Sequence, residues 1–360
     1  MKKKICLFSG DITRNGGTER VVTRLADALI LDNSYEICIL SLTEQADEPF
    51  YKINSSIPRY KLGDRWISPG PGYLPVIKKL RKFIKENRID IIVDVDIVLD
   101  VLSIPAVRRL KTKVISWEHF TADFELSVFY RRLILKYSVK RSDYVVVLTD
   151  GDLMSYHERL KRTKSICRIY NPIEMPPKGL DSERKKQIVT VGRLVPPKGI
   201  DMLMPIAKKV LADNPDWQWL LLGEGEEREK LEKFIEANRL HNRLILAGNV
   251  KDVDMYLRES AIYVCTSKYE GLGMSLLEAC RMGVPCISFA VKEGPIEIIK
   301  DGENGYLVQP FDCDQMAAKI SEMICDPILR DRFAKNALAS LDRFDTETVV
   351  GQWKNLFDKL

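Results

Sequence analysis

The feature that most constrains this chain is an alternation repeated along its whole length. Short apolar runs give way to amphipathic stretches whose apolar residues recur about every 3.6 positions, and then to the next apolar run. Lys4–Ser9, Glu36–Leu42, Ile89–Val95, Lys113–Trp117 and Tyr144–Thr149 are runs of this kind. Between them, "ERVVTRLADALI" and "LPVIKKLRKFIKEN" carry the helical spacing. Continuous apolar runs of strand length, separated by helices, predict parallel strands covered on both faces, hence a doubly wound α/β sheet. "YNPIEMPPKGLDSERKK" (Tyr170–Lys186) interrupts the pattern with Pro, Gly and charge. The pattern then restarts with Gln187–Val191, Trp217–Leu222, Arg243–Ala247, Ala261–Cys265 and Val284–Phe289. The expectation is two Rossmann-like domains facing across a cleft: residues 1–172, a linker 173–186, and residues 187–340. A last amphipathic helix within 341–360 is expected to cross back to the first domain. Ligands of such sheets bind beyond the carboxyl ends of the strands.

Size agrees, since 360 residues suit two domains and the 45% hydrophobic content supplies a core for each. No apolar run has the roughly 18 residues of a membrane span. Ile5–Phe8 is too short for the apolar region of a signal peptide. The eight cysteines form no C-x-x-C pair, and Cys6, Cys38 and Cys265 sit inside apolar runs. A reduced, cytoplasmic protein is expected. The net charge of +5 is uneven. Residues 1–180 hold 31 Lys+Arg against 22 Asp+Glu, while the remainder is net acidic. An acidic partner is therefore expected for the first half. Nucleic acid is not, because aromatic residues do not interleave with the basic stretches.

Three stretches look built for a ligand. "SKYEGLGMSLLEACRMGVPCISF" (Ser267–Phe289) places Glu270 in a glycine-bearing loop and Glu278 eight residues later on a helix. Ser275 and Glu278 fit a capping box for a helix over Leu276–Met282, which is one reading of Glu278. The other is a ligand contact, as for Glu270. The amides of Gly271, Leu272 and Gly273 at the helix start suit an anion. Anion-binding amides between two carboxylates suit a nucleotide sugar: the diphosphate meets the amides, and each acid accepts from vicinal hydroxyls. "VGRLVPPKGIDMLM" sets Arg193 and Lys198 around a Pro-Pro turn at a strand end, two cations suited to a diphosphate. Gly16 and Gly17 precede a helix without the G-x-G-x-x-G spacing, so a dinucleotide fingerprint is not supported. His119 follows a buried strand. Asp94, Asp96 and Asp100 contain a D-x-D, but no His, Cys or carboxylate group has convincing metal spacing.

Together these residues resemble a known family. "GGTERVV", "NPI", "GRLVPPKG", "LLGEGEEREKLE", "LILAGNVKDV", and Glu270 and Glu278 as E-x7-E, in this order along nearly the whole chain, resemble the retaining GT-B glycosyltransferases of family 4 (glycosyl transferase group 1). "GGTERVV" with "WEHF" is similar to bacterial enzymes that build polysaccharides on lipid carriers. The resemblance implies that Glu270 binds donor-sugar hydroxyls and Glu278 the ribose. It implies that Arg193 and Lys198 hold the diphosphate, assisted by Gly16, Gly17 and Gly271 to Gly273. His119 would lie near C6 of the sugar, and Asn249 and Val250 near the base. No metal cofactor is implied, because cations and helix ends neutralise the leaving group. The "EGLGM" sequence departs from the commonest pattern, which leaves the donor sugar open.

The implied reaction moves a hexose or N-acetylhexosamine from a UDP-sugar to a saccharide acceptor, one linked to a polyprenyl diphosphate, with retention. A nucleotide-sugar epimerase and a non-catalytic binding protein are the competing expectations. The helix in "PGPGYLPVIKKLRKFIKENR" suggests peripheral contact with an anionic membrane, the inner face of the plasma membrane. Ile77, Leu80, Phe83 and Ile84 fall on one face, and Lys78, Lys79, Arg81, Lys82, Lys85 and Arg88 fill the rest.

Overall fold

The computed structural model describes residues 2–64, 72–175 and 184–360. Pro69–Pro71 of the Pro/Gly loop and Pro176–Glu183 of the linker stretch lie outside the described residues. The chain divides into two compact units, Met1–Ile173 with Phe344–Leu360, and Glu174–Arg343.

The first unit holds strands β1 (Lys3–Ser9), β2 (Tyr35–Ser41), β3 (Arg59–Lys61), β4 (Ile91–Val95), β5 (Lys113–Trp117), β6 (Tyr144–Val147) and β7 (Ile166–Arg168). They form one parallel sheet in the order β3-β2-β1-β4-β5-β6-β7. Its helices are α1 (Gly17–Asp32), α2 (Tyr73–Glu86), α3 (Asp100–Val107), α4 (Ala122–Ser127), α5 (Phe129–Arg141) and α6 (Asp150–Glu158). The second unit holds β8 (Lys185–Val191), β9 (Gln218–Leu222), β10 (Leu244–Gly248), β11 (Ser260–Cys265), β12 (Cys286–Phe289) and β13 (Gly305–Val308). These strands are also parallel, in the order β10-β9-β8-β11-β12-β13. Its helices are α7 (Ile200–Asp213), α8 (Arg228–Ala237), α9 (Val253–Glu259), α10 (Met274–Arg281), α11 (Pro295–Ile298), α12 (Cys313–Cys325) and α13 (Pro327–Ala339). The final helix, α14 (Thr346–Lys359), belongs to the first unit.

The central strands are buried on both faces, which is why they are spelled as unbroken apolar runs. β1 is fully buried from Ile5 to Phe8. Each sheet reverses its strand order beside its first strand, with β2 and β4 flanking β1, and β9 and β11 flanking β8. That reversal opens a crevice at the carboxyl ends of β1 and β8, where the loops diverge. Strands β3, β7 and β13 are missing from the sequence expectation. Each is three or four residues long and lies at a sheet edge, so none needs a long apolar run.

Helix α14 turns Val349, Val350, Trp353, Leu356 and Phe357 inward. Trp353 meets Trp117 edge-on at 4.9 Å between ring centroids, and Phe357 meets Tyr35 at 5.5 Å. Lys3 Nζ donates to the Phe357 carbonyl at 2.7 Å, tying the first strand to the last helix.

Helix α2 buries Val76, Leu80 and Ile84 and packs Ile77 and Phe83 against the same core. Arg81, expected on its free basic face, donates to the carbonyls of Ala106 (2.7 Å) and Arg108 (2.8 Å). Its guanidinium terminates α3 instead of facing outward. Among the described residues no helix is long and apolar enough to cross a membrane.

Candidate active site

Three loops converge at the carboxyl edge of the second sheet. After β8 the chain passes through Gly192 and Arg193 into a tight turn at Pro196–Lys198 and then α7. Gly199 has φ +67, and a Cβ there would lie 1.9 Å from the carbonyl oxygen of Thr266, beyond β11. A Cβ on Gly223, beyond β9, would lie 2.0 Å from the carbonyl oxygen of Gly192. Glycine at these positions lets the loops touch backbone to backbone. Thr266 Oγ1 also donates to the Lys198 carbonyl (3.0 Å), and the Lys268 amide to that of Pro197 (2.8 Å). Gly192, Arg193, Lys198, Cys265, Thr266 and Ser267 share a pocket here.

Glu270 is tied by one oxygen to two residues that line that pocket. Its Oε1 accepts from Lys198 Nζ and from Ser267 Oγ, both at 2.6 Å, with the Cys265 thiol at 3.9 Å. Burial disfavours the Lys198 ammonium, but the Glu270 carboxylate outweighs it and the pKa ends above the ordinary lysine value. Lys198 is therefore a cation at neutral pH. Arg193 is exposed, and its guanidinium has no ion-pair or hydrogen-bond partner among the described residues. Its charge opposes that of Lys198. Glu270 thus neutralises Lys198 alone, and the Arg193 charge beside them is not paired.

The expected capping box does not form. Gly273, at φ +86, is the N-cap of α10 and offers no side chain. The helix starts at Met274, earlier than expected, so Ser275 falls in its first turn and accepts from Tyr263 Oη at 2.9 Å. Glu278 lies buried on α10. Leu272 is buried, while Gly271 is half-buried beside Glu270. Asn249 is exposed and Val250 half-buried, just past β10, whose Gly248 carbonyl accepts from the Gly223 amide at 2.8 Å. The fold thus brings Arg193, Lys198, Asn249, Val250, Glu270 to Gly273 and Glu278 to one edge of one sheet.

The halves of the chain match two descriptions in register with these units. Residues 15–175 match Glycosyltransferase Family 4, and residues 173–339 match Glycosyl transferases group 1. The chain belongs to the family 4 glycosyltransferases. Its relatives include a glycosyltransferase of Haemophilus influenzae, 29% identical over 98% of this chain and 99% of that one. Another is the amylovoran biosynthesis glycosyltransferase AmsD of Erwinia amylovora, 27% identical over 99% of this chain and 100% of that one. The crystal structure of Staphylococcus aureus TarM, solved with UDP and α-GlcNAc-glycerol, superposes with a TM-score of 0.82 at 16% identity, covering 99% of this chain and 100% of that one. The fold is GT-B.

The glycosyltransferase's other expected site residues lie in the first unit. Gly16 is the N-cap of α1 and Gly17 its first residue. A Cβ on Gly16 would lie 2.1 Å from Oε2 of Glu19, so this acid folds back over the helix start. His119 follows β5 with its ring against Trp117 at 4.5 Å. Its Nε2 is buried without a hydrogen-bond partner, and burial pushes its pKa down to about 3. The imidazole is neutral, not a standing proton donor.

The D-x-D carboxylates do not present a metal site together. Asp94 accepts from Ser103 Oγ (2.6 Å) and Asp100 from Ser116 Oγ (2.7 Å), both wholly buried. Asp96, at φ +102, instead joins Glu118 and Glu125, their oxygens within 4.8 Å of one another. A cation already serves that group: Arg131 reaches Asp96 at 3.0 Å and Glu125 at 2.8 Å. Sequence reasoning missed this cluster because its members are scattered across residues 96–131. It also missed Ser267, whose only signal is its place three residues before Glu270.

Proposed function

We propose that this glycosyltransferase moves a hexose or N-acetylhexosamine from a UDP-sugar to a saccharide acceptor carried on a polyprenyl diphosphate, with retention of configuration, in cell-surface polysaccharide assembly. The observation that carries this reading is the pair of cations, Arg193 and Lys198, set side by side after β8. The Arg193 guanidinium is unpaired, and Lys198 is held charged by Glu270. A diphosphate is the ligand that such a site lacks. Relatives support the class: the TarM crystal holds UDP and a GlcNAc glycoside, and AmsD is named for a polysaccharide. They do not favour an epimerase.

On this reading the donor C1–O bond breaks and its electron pair leaves on the diphosphate. Arg193, Lys198 and the amides from Gly271 to Gly273 meet the charge as it grows, the kind of preorganised stabilisation that supplies much of enzymic rate. The acceptor hydroxyl attacks C1 from the face the diphosphate leaves, and its proton passes to the departing phosphate oxygen. Glu270 turns from Lys198 to the sugar hydroxyls as Lys198 turns to phosphate. Glu278 accepts from the ribose, Asn249 and Val250 flank the base, and neutral His119 approaches C6. No divalent cation is required.

The test is UDP release from a panel of UDP-sugars with lipid-linked acceptors, with the product's anomeric configuration read by NMR. Retention, and activity that survives EDTA, are expected. An inverted product, or activity lost to EDTA and restored by manganese, overturns the mechanism.

A further inference from the structure

The turn that carries His119 is fastened from both sides. Glu118, the residue before it, is wholly buried. Its Oε1 accepts from the amide of Phe120, the residue after it, at 2.9 Å. One carboxyl group therefore bridges the histidine and closes the backbone around it. The Phe120 ring in turn lies 4.8 Å from the Arg131 guanidinium carbon and 5.3 Å from the Phe124 ring. The imidazole rests on Trp117, and its buried Nε2 has no hydrogen-bond partner among the described residues. The backbone is thus tied down while the polar end of the ring is left unused.

The fastening is costly. Arg131 Nε donates to both oxygens of Glu125, at 2.8 and 2.9 Å, and a terminal nitrogen donates to both of Asp96, at 3.0 and 3.2 Å. Asp96 holds a positive φ that only glycine adopts freely, and its amide donates to the Trp117 carbonyl at 3.0 Å. Tyr156 Oη donates to the second oxygen of Glu118 at 3.4 Å. Burial raises the Glu118 carboxyl well above the usual carboxylate range, and Glu125 raises it further. An apolar cluster of the same volume would stabilise the unit without desolvating four ionisable groups. What a satisfied polar network adds is one fixed geometry. It adds it where β4 and β5 end, on the side of the sheet where ligands bind.

We propose that Glu118, backed by Arg131, is a positioning residue for His119 and fixes where the imidazole stands during glycosyl transfer. The inference rests on the transfer reading, in which His119 approaches the donor sugar. Glu118 touches no reacting atom and moves no proton. It acts through the turn, by holding the amide of Phe120. A misplacement of about 1 Å is enough to cost roughly a hundredfold in rate, so a ring free to wander is a slow one.

The experiment compares Glu118→Gln, which keeps an oxygen for the Phe120 amide, with Glu118→Leu, which removes it. Glu118→Leu should lower kcat roughly ten- to a hundredfold and leave KM for the UDP-sugar within about twofold. Glu118→Gln should restore most of the rate. His119→Ala should also lower kcat, and adding Glu118→Leu to it should slow the enzyme no further, because residues that act as a unit do not add. Losses that multiply overturn the proposal, as does a wild-type rate in either single variant. If Glu118→Leu does not fold, Arg131→Lys enters the same cycle, since it keeps the charge and loses the fork. NMR of selectively labelled histidine gives a readout apart from turnover. The chain has three histidines, and the His119 signal is the one lost in His119→Ala. It should keep its wild-type shift in Glu118→Gln and move or broaden in Glu118→Leu. An unmoved signal overturns the proposal even where turnover falls. A wild-type protein that transfers from no UDP-sugar refutes the transfer reading instead, and the histidine signal then decides the positioning by itself.

Discussion

Lys198→Met should unlock Glu270, and a double-mutant cycle measures by how much. The substitution keeps the apolar stem and removes the ammonium. In the ligand-free protein that ammonium lies 2.6 Å from Glu270 Oε1, with the lysine side chain 26% exposed and the glutamate 10%. Such a pair is worth more than a surface ion pair, about 0–1 kcal/mol. It should cost less to break than a wholly buried one, about 3–5 kcal/mol. A charged hydrogen bond in between is worth about 1.5–3 kcal/mol, and the Ser267 hydroxyl still satisfies Glu270 once the amine is gone. The expected loss is on the order of 2 kcal/mol, a fall in Tm of roughly 4–8 °C for a unit of this size. Glu270→Gln should cost less, because the amide oxygen still accepts from Ser267. In the double variant neither charge is left alone, so its loss should fall short of the sum by about 1–2 kcal/mol. Arg193→Ala, at an exposed and unpaired position, should leave stability within about 0.5 kcal/mol yet weaken UDP. The pKa of Lys198 is raised, so the pair's contribution is complete below the ordinary lysine value of 10.5 and is lost only as pH climbs through the folded value. Thermal melts of the four proteins, with UDP titrations by calorimetry, decide the matter. Losses that add to within about 0.3 kcal/mol would show that the ion pair does no stabilising work and refute the argument.

Burial pushes Glu125 up to about 7 in spite of Arg131, and raises Glu118 and Asp94 as well. A folded state that keeps such a proton is favoured below the unfolded value of 4.5, and this contribution is lost as pH rises toward 7. Glu125→Gln should flatten the slope of stability across that window by about 1–3 kcal/mol; urea midpoints at several pH values test this, and an unaltered slope refutes it. Trp353→Ala should destabilise the first unit by about 3–5 kcal/mol, read by unfolding, with the second unit's transition unchanged; loss of the second transition instead would contradict the packing of α14. Gly199→Ala should cost at least about 1 kcal/mol from its positive φ alone, and more from the Thr266 carbonyl, lowering UDP affinity as the two loops part; wild-type affinity would count against their close approach.

What was legible in the sequence was set by burial and period. β5 was legible residue for residue because both of its faces are covered, and α14 because its inward face repeats every 3.6 residues. The edge strands were not, since "RYK" and "ICR" need no apolar spelling when one side is open. Ser275 and Glu278 satisfy the capping pattern in letters. The pattern fails because Gly273 adopts a left-handed conformation and starts the helix early, a choice made by the backbone. Arg81 looks like a surface cation until α3 ends within its reach. The group around Arg131 depends on where β4, β5, α4 and α5 meet, and no local spacing encodes that meeting.

The return of α14 to the first unit has a consequence for synthesis. The chain leaves that unit after Ile173 and rejoins it at Phe344, so the whole second unit is made before the first is finished. At about 5–20 residues per second the interval is roughly ten to thirty seconds. During it, Trp117 and Tyr35 lack the rings of Trp353 and Phe357 that cover them. The second unit, contiguous in sequence, meets no such delay. The order of maturation therefore inverts the order of translation, and α14 completes the unit that was begun first.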